Sequence, residues 1–159
     1  MDEASKANLG KPSHMLIIRY LGHFGSATLA AGVIAVVLEV TIPFRETFFL
    51  GALLGGAIMG YLVNRNMRDL TALLVWIIPL AWLIYGIRDS SAHYSEVWSH
   101  QSQSTYIWDS FFGAHCGGSE CMNELLFTAP FLSSVSYSIT AYFASRNIPD
   151  VAQPESPLL

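Results

Sequence analysis

The sequence predicts an all-α integral membrane protein: a bundle of four transmembrane helices with a disulfide-closed extracytoplasmic loop between the third and fourth. Three observations predict it. Four stretches contain no Asp, Glu, Lys or Arg, namely Tyr20 to Leu38, Thr47 to Asn64, Leu70 to Ile87 and Leu125 to Ser145. Each is long enough, as a helix, to cross a hydrocarbon core of roughly 30 Å. Only 13% of residues are charged, about half the share usual in a soluble domain, and mean hydropathy is +0.41. The ionisable groups bracket the apolar runs, at Arg19, Glu39, Arg45, Glu46, Arg65, Asp69, Arg88, Glu124 and Arg146. Short apolar runs with such brackets also occur as buried helices of soluble bundles, but four in succession favour spans.

Residues 1–14 are polar and are expected to be unstructured. The first span, about 20–40, is not read as a removable signal peptide, because its apolar run exceeds a usual h-region and lies well behind a polar N-terminus. Gly22, Gly25, Gly32 and Ala35 lie close to one face of it, and that face ends at Glu39. His23 lies one turn inside Arg19. Together His23 and Glu39 form a candidate transport pair, although neither reaches the midplane, where a buried charge is costly and usually functional.

The second span, 47–64, carries Gly51-Ala-Leu-Leu-Gly55 and Gly56-Ala-Ile-Met-Gly60, two GxxxG patterns on adjacent stripes. Small residues let helix backbones approach closely in lipid, so the glycines predict a tight hairpin of helices one and two. The third span, 70–87, contains Pro79, which leaves the carbonyl of Val75 without its usual backbone donor and predicts a kink. The fourth, 125–145, contains Ser133, Ser134, Ser136, Tyr137, Ser138 and Thr140, with Ser133, Tyr137 and Thr140 sharing a face. Such hydroxyls either line a polar path or bond to their own or a neighbouring helix, and the second use is expected here.

The connection 88–124 is the only extramembrane segment large enough to fold. As a helix it would align His93, Glu96 and His100 on one stripe, a candidate metal site. Its aromatic residues, among them Tyr94, Trp98, Tyr106, Trp108 and Phe111, predict short helices that cap the bundle. Cys116-Gly-Gly-Ser-Glu-Cys121 holds the only two cysteines, and its glycines permit a loop tight enough to join them. A non-cytoplasmic position favours a structural disulfide. A redox-active dithiol activated by His115 is the competing reading. One pair with four intervening residues does not supply the two-pair relay, including CxxC, of four-span quinone-linked disulfide oxidases, and the CCG signature of tetraspanins is also absent. No family membership follows.

Residues 146–159 contain three prolines among polar residues and are expected to be extended. Lys6, Lys11, Arg19, Arg65, Arg68 and Arg146 fall on one side of this topology, and only Arg45 and Arg88 on the other, so both termini are expected in the cytoplasm of a plasma or bacterial inner membrane. Tyr20, Tyr61, Phe48, Trp82, Tyr85 and Tyr142 sit where interfacial anchors belong. A net charge of −4 with no basic run gives no reason to expect nucleic acid. The sequence singles out no cofactor. The expected partners are the lipid bilayer, other membrane proteins or further copies of the chain. The expected role is a non-enzymatic structural or accessory subunit, with a small transporter and a thiol redox protein as alternatives.

Overall fold

The computed structural model describes residues 12–41, 47–64, 69–97, 102–113 and 120–146, and these are helical without any strand. Helix α1 spans Pro12–Thr41 and α2 spans Thr47–Asn64. A 3₁₀ segment, Leu70–Leu74, leads through a turn into α3, Ile77–Val97. Helix α4 is Gln103–Phe112. A single turn, α5 (Glu120–Asn123), continues through a π-helical turn, Glu124–Thr128, into α6, Ala129–Arg146.

Two of these helical stretches, His14–Leu38 and Leu70–Tyr94, are long and apolar enough to cross a membrane, and Phe48–Asn64 is a shorter apolar helix. The distribution of side chains is inverted relative to a soluble bundle. Among the described residues, the buried apolar set is mostly alanine, and the buried polar set includes His23, Asn64, Thr128, Ser133, Ser134 and Ser138. Large residues such as Leu29, Val33, Val36, Ile58, Ile78, Trp82, Ile84 and Phe143 lie outside. An aqueous fold would bury such large apolar residues instead of leaving them on its surface.

Helix α2 lies between α1 and α6, and its two glycine stripes serve different neighbours. A Cβ at Gly51 would lie 2.5 Å from Ala35 Cα, and one at Gly55 2.5 Å from Ala31 Cα. A Cβ at Gly56 would collide with the carbonyl of Ser133, and one at Gly60 with that of Tyr137. Each step of four along α2 is matched by a step of four along its partner, descending on α1 and ascending on α6, so α2 runs antiparallel to α1 and parallel to α6. The α1 face is made by Ala27, Ala31 and Ala35, all buried. This corrects the expectation for Gly22, Gly25 and Gly32, where an added Cβ would meet nothing within 4 Å. They sit around the helix from the alanine stripe, which repeats every four residues and forms the contact.

The hydroxyls of α6 tie the bundle together. Ser133 Oγ donates to the Ala27 carbonyl (2.8 Å), Ser136 Oγ to that of Leu53 (2.6 Å) and Ser138 Oγ to that of Ala72 (2.9 Å). Ser134 and Thr140 instead bond back to their own helix, at Pro130 (2.7 Å) and Ser136 (2.9 Å).

Pro79 and Pro130 shape the starts of their helices. Pro79 falls in the first turn of α3, where a missing N–H is least costly, and the 3₁₀ segment precedes it. The Val75 carbonyl it leaves open accepts a 2.8 Å bond from the Tyr20 hydroxyl. Tyr20, expected as an interfacial anchor, is thus partly buried and has a buried partner across the fold. Pro130 cannot donate to the carbonyl four residues back, and the wider π turn precedes it, closed by the Ala129 N–H on the Glu124 carbonyl.

Part of the expected outer connection is helical. Helix α3 continues to Val97, and Ser102 caps α4 by accepting from the Thr105 amide. Gln103 Nε2 donates to the Ser91 carbonyl (3.1 Å), and Thr128 Oγ1 to that of Phe111 (2.7 Å). Phe111, Phe127 and Trp82 form a chain of ring contacts at 5.7 and 5.3 Å. Trp108 remains 63% exposed.

Candidate functional site

Among the described residues, a dense polar arrangement sits where α1, α2, the 3₁₀ segment and α6 meet. Helix α1 carries His23 to the α6 face, one turn before Ala27, and the same stripe of α6 that places Ser133 against Ala27 places Tyr137 against His23. Tyr137 Oη lies 2.6 Å from His23 Nδ1. The other ring nitrogen, Nε2, lies 3.3 Å from Asp69 Oδ2. Because a carboxylate only accepts, Nε2 carries a hydrogen and Nδ1 of the neutral ring accepts from the Tyr137 hydroxyl. In the protonated ring Nδ1 donates to the phenol oxygen instead, so both states keep two hydrogen bonds.

Asp69 is fixed from several directions. It caps the 3₁₀ segment, its Oδ1 accepting from the Thr71 amide (3.0 Å) and the Thr71 hydroxyl (2.7 Å). Arg19 Nη1 approaches Oδ2 at 3.8 Å. Partial burial, the largest single influence, pushes the Asp69 carboxyl up, but the Thr71 hydroxyl and amide together with His23 outweigh it and hold the group below its usual range. Asn64, at the end of α2, accepts from the Asp69 amide (3.3 Å) and donates to the Ala141 carbonyl (3.0 Å). One amide side chain therefore links the α2 terminus to both α6 and the junction.

Access is graded along this chain. The side chains of Arg19, Asp69 and His23 are 56%, 18% and 10% exposed, and Tyr137 is fully enclosed. Acid, imidazole and hydroxyl in this order resemble an activated-nucleophile arrangement, but Tyr137 lines neither of the two cavities described for the bundle. Its oxygen is enclosed in the bundle against His23. What the chain can do is hold a proton and fasten four elements to one another.

The sequence-predicted candidates fare differently. His23 belongs to this site, but its partners are Asp69 and Tyr137 and not Glu39, which lies sixteen residues farther along α1, about 24 Å at the helical rise. The side chain of Glu39 and the residue Arg45 are outside the described residues. His93 is on the exposed surface of α3, with Nδ1 donating to the Asp89 carbonyl at 2.9 Å. The side chain of Glu96 and all of His100 lie outside the described residues, among which no group of three potential metal ligands occurs. Cys116 and the side chain of Cys121 are likewise outside them. Asp69 and Asn64 carried a legible signal: they are the polar residues at the end of α2 and just before the 3₁₀ segment, where one apolar run gives way to the next. Comparison with protein-family models, curated proteins and solved structures finds no match to this chain.

Proposed function

We propose that the chain is a small multi-pass membrane protein whose four spans are α1, α2, Leu70 onward through α3, and the segment ending in α6, and that it serves as a non-enzymatic structural or accessory subunit of a membrane assembly. Both termini face the cytoplasm and a Cys116–Cys121 disulfide closes the outer loop. The observation that carries this reading is the inverted side-chain distribution: alanine, serine and glycine inside, large apolar residues outside. In lipid such interiors gain from close backbone approach and interhelical hydrogen bonds, and the apolar exterior matches the solvent. The His23–Asp69–Tyr137 chain then acts as an interhelical lock, since a buried polar group deprived of its partner costs about 1–3 kcal/mol.

Purification from the native membrane in mild detergent tests the reading. A stoichiometric partner or a defined homo-oligomer is expected. A strictly monomeric protein that carries solute would overturn it. Proton transport is the second reading, favoured by the acid–imidazole–phenol chain, which can accept and pass a proton. Vesicle proton flux that is lost in both Asp69→Asn and His23→Gln would establish transport and displace the scaffold role.

A further inference from the structure

An apolar groove of about 580 Å³ opens between the Leu70–Leu74 turn and α6. Leu73 and Trp76 form one wall; Phe131, Val135 and Ile139 form the other, and Tyr142 lies at its end. From Phe131 to Tyr142 the groove follows α6 for roughly 17 Å at the helical rise, about half of a 30 Å hydrocarbon core. That is the reach of one leaflet. At the Tyr142 end the Arg146 guanidinium lies 4.5 Å from the centre of the Tyr142 ring, which orients a cation at the mouth of the groove. An apolar slot one leaflet long with an oriented cation at its interfacial end matches one acyl chain joined to a phosphate.

We infer that this groove binds one acyl chain of an anionic phospholipid of the cytoplasmic leaflet, with the phosphate on Arg146. The inference rests on the membrane reading above. It adds a specific lipid site to a surface otherwise covered by any lipid. Arg146 is well suited to the headgroup because guanidinium pairs with phosphate through two parallel N–H groups, and the cytoplasmic leaflet supplies anionic headgroups.

The test uses the full chain in nanodiscs of equal phosphatidylglycerol and phosphatidylcholine, followed by native mass spectrometry of the released protein. The expected result is one retained lipid, with phosphatidylglycerol favoured about fivefold, equivalent to about 1 kcal/mol for one interfacial cation. Arg146→Gln should keep the lipid and lose the preference. Ile139→Trp, at a half-exposed groove position, should fold normally and retain no lipid. Equal retention of the two lipids by the wild type overturns the site while leaving the membrane reading intact, as does an unchanged preference in Arg146→Gln or a stable dimer in place of bound lipid. Failure to enter nanodiscs overturns both.

Discussion

Replacing Gly56 by alanine adds one methyl group on the α6 side of α2, and the structure fixes what that group meets. It meets the carbonyl oxygen of Ser133, with the carbonyl carbon at 2.9 Å, and this is backbone that cannot rotate away. Helix α6 must retreat by roughly 1 Å to restore ordinary contact. That retreat stretches the Ser133 to Ala27 bond from 2.8 Å past the roughly 3.5 Å limit of a hydrogen bond. Overpacking of this kind costs about 1–3 kcal/mol and the lost interhelical bond about 1 kcal/mol, together about 2–4 kcal/mol. Gly32→Ala is the matched control, because nothing lies within 4 Å of its Cβ. Both substitutions share the helix-propensity gain of up to about 1 kcal/mol, so it cancels in the difference. Reversible unfolding in mixed SDS and maltoside micelles, followed by circular dichroism, reads that difference directly. Two variants that agree within about 0.5 kcal/mol, or a more damaging Gly32→Ala, would refute the assignment of the second glycine stripe to the α6 interface.

Three further outcomes follow from the same geometry. Tyr20→Phe leaves the Val75 carbonyl without a donor and should cost about 1–2 kcal/mol. Adding Pro79→Ala, which returns a backbone N–H, should recover much of that loss, and a strictly additive double-mutant cycle would contradict the pairing. Asn64→Ala removes the links to Ala141 and to the Asp69 amide and should cost about 2–3 kcal/mol, whereas Ser26→Ala, which loses only an exposed bond to its own helix, should be nearly neutral in the same unfolding assay. The Asp69 carboxyl titrates lower in the folded protein than in the unfolded chain, where about 3.9 is usual. Its stabilisation is therefore complete above that pH and lost as the pH falls through the lower folded value. Wild-type stability should thus decline below about pH 4 more steeply than that of Asp69→Asn, and parallel declines would contradict the hydrogen bonding assigned to Asp69.

The parts of this architecture that depend on local pattern were legible in the sequence. Charge-free runs marked the helical stretches, although 3₁₀ and π turns open the third and fourth of them, beside Pro79 and Pro130. The glycine spacing on α2 marked close packing, but spacing along one helix does not say which neighbour each stripe meets. The register of α2 on α6 comes from the tertiary match of Gly56 and Gly60 with Ser133 and Tyr137. Pro79 reads as a kink and Tyr20 as an interfacial anchor, and only the fold joins the open carbonyl to the hydroxyl that fills it. The place of His23 near the start of an apolar run is readable from the sequence, whereas its partners lie off that helix and Glu39 is not one of them. Asp69 comes from the start of the 3₁₀ segment, and Tyr137 from the last helix. Contacts of such sequence separation leave no periodic trace, so they had to come from packing.

The proposed crossing of the bilayer by four segments is open to single-cysteine labelling. In a Cys116→Ser, Cys121→Ser background, a membrane-impermeant maleimide would be applied to intact and to lysed cells carrying Ser5→Cys, Asn66→Cys, Ser99→Cys or Ser156→Cys. Four spans with cytoplasmic termini give labelling of Ser99→Cys in intact cells, with the other three labelled only after lysis. Labelling of Asn66→Cys from outside, or release of the protein by alkaline carbonate, would contradict it.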